Sequence, residues 1–251
     1  EAAVVSLKPL LEQDPQNVMG HYYLGKLYGE MKLYKDASAW MEKAIVLKPG
    51  FESALSDLAL LYEIRNETGK AREIYRQLIE EHPQRMGYRL RLAKLDIREK
   101  KYNEAIGILN EVLKLDSRNR EARLTLALAY METQKPERAI EELSLLVKNA
   151  PNDQEARYFL GGAYEEKKMM AEALREYELI PAASPLYGSA QVRAGYILKS
   201  QGKTGEAIEK AKKALAEKKN DAALYGLLAA LYEADGKLAE AETTLKEGLA
   251  A

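Results

Sequence analysis

Apolar residues recur three and four positions apart through stretches of about 14 residues, each closed by a short polar turn. The block VMGHYYLGKLYGE, the turn MKL and the block YKDASAWMEKAIVL are one such pair, followed by the punctuation KPG. This is the period of amphipathic helices, and the even spacing of breakers predicts paired helices throughout. The same pattern returns every 34 residues. Ala3, Ala37, Ala71, Ala105, Ala139, Ala173, Ala207 and Ala241 mark one column. Twelve residues before all but the first of these stands a small residue: Gly25, Ala59, Ala93, Ala127, Gly161, Gly195 or Ala229.

Three residues after the small one come Tyr28, Tyr62, Asp96, Tyr130, Tyr164, Leu198 and Tyr232, and Pro15, Pro49, Pro83, Pro151 and Pro185 close their units. The bounds are a half unit at 1–17, complete units at 18–51, 52–85, 86–119, 120–153, 154–187 and 188–221, and a last unit at 222–251, read as a single domain. A small residue on the first helix and the alanine on the second let two backbones approach, where a larger residue would overpack the contact. Proline stops the second helix. No unit buries its apolar stripe alone, so neighbours must stack into an all-α solenoid.

Leu24-Gly25, Tyr28, Ala37, Ala44 and Pro49, recurring in register, resemble the tetratricopeptide repeat over essentially the whole chain. The resemblance implies a right-handed superhelix of stacked antiparallel helix pairs, with first helices lining a concave groove. It also implies binding of a protein or peptide, with no chemistry of its own. The junction IPAASPLY is similar to those of long bacterial arrays of this family.

Composition narrows the function. Lys and Arg (38) nearly balance Asp and Glu (39), so no global field draws the chain to nucleic acid or to an anionic membrane. There is no cysteine and no apolar run long enough to span a bilayer. Gly202-Lys203-Thr204 looks like the tail of a phosphate-binding loop, but that motif needs a glycine at Ile197 and a strand before it. The preceding residues read as an amphipathic helix, so the nucleotide reading fails. His21 and His82 have no ligand set around them, Asn66-Glu67-Thr68 is a sequon on a turn, and no residue supports an enzyme or a cofactor. Asp96 breaks the tyrosine column, and a half-buried carboxylate needs a partner, for which Arg89, Arg91 and Arg123 are the candidates.

By the resemblance, ligand-facing residues occupy the second, fifth, ninth and twelfth places of each unit. The candidate partner-binding residues are Tyr22, Lys26, Leu60, Leu90, Arg91, Lys94, Ile97, Leu124, Leu128, Met131, Tyr158, Val192 and Tyr196. Their centre is apolar and suits a partner helix or extended peptide. Some members of the family clamp chaperone tails through Lys and Asn at such places, and the asparagines are missing here. A cluster at Arg85, Arg89, Arg91, Lys94, Arg98, Lys100 and Lys101 is the feature that would favour nucleic acid. Further expectations concern irregular points. Leu7, Leu10, Leu11, Leu245 and Leu249 are expected to be partly exposed, which would allow end-to-end self-association. Pro181 should end its helix near Ile180, with Ser184 capping the next helix, Pro185 in its first turn, and stacking loosened there.

Overall fold

The computed structural model describes the backbone of residues 2–250, with the side chains of residues 2, 3, 5 and 10 outside the description. The columns at Ala3 and Leu10 therefore lie outside the described side chains. Among the described residues there are fifteen helices and no strand. Two compact units, Glu1–Ser117 and Arg118–Ala251, are each built of stacked helix pairs.

Unit 1 holds α1 (Ala2–Gln13), α2 (Val18–Glu30), α3 (Tyr34–Leu47), α4 (Glu52–Ile64), α5 (Thr68–Glu81), α6 (Met86–Arg98) and α7 (Tyr102–Leu115). Unit 2 holds α8 (Arg120–Glu132), α9 (Pro136–Asn149), α10 (Gln154–Glu166), α11 (Met170–Glu178), α12 (Tyr187–Ser200), α13 (Thr204–Glu217), α14 (Ala222–Ala234) and α15 (Leu238–Ala250). Within each unit consecutive helices pack as stacked pairs. The alanine column from Ala37 onward is buried in every repeat, and so is the small-residue column facing it. A Cβ added to Gly161 would lie 2.6 Å from Tyr177 Cε1, so the small residue is what admits the tyrosine ring.

Each helix pair turns through the same backbone device. Lys32, Asn66, Lys100, Gln134, Lys168, Gly202 and Gly236, spaced 34 residues apart, all have positive φ, between 56° and 76°. The residue after each donates its N–H back to the tyrosine-column carbonyl, as in Leu33 to Tyr28 (2.9 Å) and Lys203 to Leu198 (2.9 Å). The positive-φ residue itself donates to the next carbonyl, as in Gly202 to Lys199 (3.0 Å). This pair of hydrogen bonds is the Schellman closure that satisfies the last carbonyls of a helix. Gly202 thus serves a turn and not a phosphate.

Around Pro181 the second helix stops early, at Glu178, after nine residues against 14 in α9. The next helix starts at Tyr187, so Pro185 precedes it and does not lie in its first turn. Ser184 acts one step earlier than expected, its Oγ accepting from Leu186 N–H at 3.1 Å within the loop. The hydrophobic core is continuous across the break. Ile180, 1% exposed, packs with Ala190, Ala194 and Ile197 although it lies beyond the helix. It fills the column held by Leu78, Val112 and Leu146 elsewhere, and losing that burial would cost more than the break itself.

The exposure expected of the terminal leucines is met in part. Leu245 and Leu249 are exposed, Leu7 is half-buried, but Leu11 is buried against Val4 and Leu24.

Candidate functional site

In unit 2, Tyr158 and Glu165 of α10, Ser189, Val192, Arg193 and Tyr196 of α12, and Ala223 of α14 line one cavity of about 400 Å³. The helical period brings them together, since Ser189, Val192, Arg193 and Tyr196 are three and four residues apart on α12, and Tyr158 and Glu165 are seven apart on α10. Three residues expected on the binding face, Tyr158, Val192 and Tyr196, thus meet at one place. Tyr196 is nearly half exposed, while Tyr158 and Val192 are half-buried.

Buried chemistry fixes the polar part of this cavity. Tyr177 of α11 is fully buried, and its hydroxyl reaches through to Glu165, donating to Oε2 at 3.0 Å. Arg193 Nη1 donates to the same oxygen at 2.7 Å. Desolvation opposes the Arg193 charge, but hydrogen bonds with Tyr158 and Glu165 outweigh it and raise its pKa. The Tyr177 phenol is also pushed up, first by burial and then by the Glu165 charge, so it stays a donor at every physiological pH.

The same trio stands 102 residues earlier, at Tyr75, Glu63 and Arg91. Tyr75, fully buried, donates to Glu63 Oε1 at 2.6 Å, and Arg98 holds the other carboxylate oxygen. Beside it on unit 1, Lys26, Arg91 and Lys94 are exposed and Leu60, Leu90 and Ile97 half-buried. Glu63 and Glu165 stand at the twelfth place of their units, but their tyrosine anchors belong to second helices and escape a reading along first helices alone.

Two candidate residues are corrected. Tyr22 is 8% exposed, packs with Phe51 and donates to Asp57 at 2.9 Å, while burial pushes its phenol up to about 12. Leu124 is likewise 8% exposed, within the cluster of Ala127, Leu143 and Leu160. Both side chains are consumed by packing against the following repeat. Leu128 and Met131 remain half-buried, so the central stripe is partly core.

Asp96 is buried, and its partner is none of the three arginines expected. Arg72 of α5 donates to Asp96 Oδ1 at 2.6 Å and to Glu99 Oε2 at 2.7 Å. Arg89 instead caps the carbonyl of Pro83 (2.6 Å) and meets Glu111 (3.3 Å). Arg157, two repeats on, does the same with Pro151 (2.9 Å) and Glu176 (2.5 Å). His21 holds this column in the first repeat, with Nε2 2.8 Å from Pro15 O and its ring stacked on Trp40. Arginine at 34-residue spacing with glutamate 19 residues later was the available signal, in Arg123 and Glu142 as in Arg157 and Glu176. The basic cluster is largely neutralised, with Arg85 on Glu52, Arg89 on Glu111, Arg98 on Glu63 and Lys101 on Glu99.

Among the described residues, no group of three or more histidines or carboxylates could hold a metal ion, and no helix is long and apolar enough to cross a membrane.

Comparison with known proteins agrees with this architecture. Family profiles described as tetratricopeptide repeat match residues 21–51, 53–85, 96–157 and 198–251. A tetratricopeptide repeat protein from Parabacteroides merdae superposes over 91% of each chain with a TM-score of 0.61 at 22% identity. The C-terminal part of a repeat protein from Cytophaga hutchinsonii gives 0.78 over 90% of this chain and 93% of that one, at 12% identity. Human protein O-mannosyl-transferase TMTC3 is 34% identical over 91 residues, 33% of this chain and only 10% of its own length. Repeats of this kind mediate contacts between proteins, and with its profile matches, its 34-residue register and its stacked helix pairs, this chain belongs to the tetratricopeptide repeat family.

Proposed function

We propose that the chain is a non-enzymatic scaffold whose first-helix faces bind a peptide or helix of a partner protein. The observation that carries this reading is the cavity lined by Tyr158, Val192, Arg193 and Tyr196. Tyrosine and arginine on a rigid helical support are the residue types that dominate binding hot spots. Val192 adds the apolar wall that an aliphatic or aromatic side chain of the partner would bury against. Tyr196 keeps 47% of its surface exposed and open to a partner. Peptides selected by display against the intact chain test the proposal. They should bind a Tyr196→Asp variant at least about tenfold more weakly, as removal of a hot-spot residue does. Equal binding to that variant would sink the reading.

A second reading, self-association through the face of α15, has its own observation. Leu245 stands in the column that buries Tyr75, Leu109, Leu143, Tyr177 and Ala211, yet it is 46% exposed, and Leu249 is 89% exposed. Sedimentation of wild type and Leu245→Glu/Leu249→Glu over a range of concentrations decides it. A wild type that stays monomeric throughout removes this second reading.

A further inference from the structure

Four residues, 150–153, join α9 to α10, whereas eight, 179–186, join α11 to α12. The far end of that longer connection, Ser184 to Leu186, closes one side of a cavity of about 940 Å³. The turn before α10 and the first residues of α10 close the other side, so the whole cavity lies in unit 2. It is more than twice the size of the cavity at Tyr196 and falls among ligand pockets, at about 300–1,000 Å³.

Its apolar walls are fixed. Phe159 packs on the cluster of Leu143, Leu146 and Leu160, while Tyr158 and Leu186 pack on that of Ile180 and Ala190. The Tyr158 and Phe159 rings meet edge on at 5.8 Å. Besides its contact with Leu186, Ser184 donates its N–H to Pro181 O at 2.9 Å, which holds the loop. Among the described residues that line the cavity, the charged ones are Arg120, Asp153 and Glu155. Arg120 Nε donates to Asp153 Oδ2 at 2.6 Å, and its Nη2 donates to Asp153 Oδ1 and Glu155 Oε2, both at 2.8 Å. One guanidinium thus serves two carboxylates, and the lining carries one negative charge in excess. Asp153 is already committed: it also caps α10 through Ala156 N–H at 3.1 Å, and Arg120 holds its carboxyl below the ordinary value. Glu155 keeps half of its side chain exposed.

We propose that this cavity anchors a partner segment carrying an aromatic side chain beside a lysine or arginine, the ring against Phe159, Pro185 and Leu186 and the cation on Glu155. The proposal rests on the reading that the chain binds a segment of another protein, and it adds a second anchor with its own selectivity. Tyr158 lines both cavities, so a segment held here continues onto the α10–α12 face. An incoming ring meets aromatic and proline faces that are already in place, which lowers the ordering cost of binding. Charge selects the neighbouring residue, because an acidic segment or a nucleic acid would bring like charge to Glu155.

The test uses the intact, isotope-labelled chain and four end-blocked synthetic peptides of about six residues, long enough to cross the cavity at about 3.3 Å per residue. Their central pair is Trp-Lys, Trp-Gln, Trp-Glu or Ala-Lys, and the remaining residues are identical and uncharged. NMR titrations locate the binding and rank the affinities. Trp-Lys should bind about two- to fivefold more tightly than Trp-Gln, as a partly exposed ion pair gives, with Trp-Glu weaker still. Ala-Lys should bind at least about tenfold more weakly than Trp-Lys, because it lacks the ring. Glu155→Gln should flatten the order of the three Trp peptides and Glu155→Lys should invert it. Ala150→Phe, which fills the cavity, should weaken all three. Positions 150 and 155 are exposed, so unchanged circular dichroism is expected and checks that the fold survives. Tyr196→Asp should leave the Trp-Lys affinity unchanged, so failure at the smaller cavity and failure of this proposal are told apart. The proposal is overturned by no Trp-Lys binding up to about 1 mM, by a Trp-Lys to Trp-Glu ratio near one, or by a ratio that survives Glu155→Lys. Binding that survives Ala150→Phe but is lost in Tyr196→Asp also overturns it, by moving the peptide to the smaller cavity.

Discussion

Replacing Arg72 by isoleucine removes the guanidinium that serves both Asp96 and Glu99. Asp96 is 3% exposed and the Arg72 side chain 13%, so the pair is close to fully desolvated. A carboxylate left there without its partner costs about 3–5 kcal/mol. The repeat supplies the cure. At the places equivalent to Asp96 and Arg72, unit 2 has Tyr164 with Ile140 and Tyr232 with Ile208, all packed on apolar clusters. Arg72→Ile/Asp96→Tyr therefore installs a pair that the chain already uses. Exchange of a buried ion pair for well-packed apolar groups is neutral or stabilising by about 1–4 kcal/mol. The double variant should thus equal or exceed wild type, while Arg72→Ile alone should melt about 10 °C lower, at about 2–4 °C per kcal/mol for a chain of this size. Urea denaturation followed by circular dichroism, with all three proteins compared at constant slope, measures both effects. If Arg72→Ile costs under about 1 kcal/mol, the desolvation argument is wrong. If the double variant is as weak as the single one, the proposed equivalence of the columns is wrong.

Lys168→Gly should stabilise by about 1 kcal/mol, because a side chain at φ 58° is strained, and Gly202→Ala should lose a similar amount; thermal melts read both. Gly161→Ala drives a Cβ to within 2.6 Å of the buried Tyr177 ring and should cost about 1–3 kcal/mol. Gly162→Ala, whose nearest contact is 3.7 Å away, should be neutral or gain up to about 1 kcal/mol of helix propensity in the same denaturation assay. Glu99 is held down to about 2 by Lys101, Thr68 and Arg72. Its folded pKa lies below the unfolded one, so its contribution is complete above the ordinary carboxylate range and is lost as pH falls through about 2. Glu99→Gln should accordingly flatten the stability curve below about pH 4.5, and an unchanged slope there contradicts the assignment.

The sequence carries the fold in its spacing. The 34-residue columns anticipate first helices at Val18, Glu52, Met86, Arg120, Gln154 and Ala222, because backbone approach at each crossing admits only small residues. Glycine appears at only two of the seven positive-φ turns, so that column had no residue-type signature to read. The polar interior was less legible for the same kind of reason. Arg72 reaches Asp96 from the second helix of the preceding repeat, and linear proximity instead suggests Arg89 and Arg91. On the binding face, spacing identifies which side of a first helix a residue occupies. How deeply the next repeat covers it depends on side-chain volume, which is why Tyr22 and Leu124 are buried while Tyr196, in an equivalent helix, is not.

The proposed docking of partners on the first-helix faces is open to one direct measurement. Photo-crosslinking from a benzophenone side chain at Tyr196, compared with one at exposed Lys213 on the second helix α13, tests it most directly with a display-selected peptide. Docking on the first-helix face predicts efficient crosslinks from position 196, suppressed by excess unlabelled peptide, and only background from position 213. Crosslinking from 213 with none from 196 would contradict it.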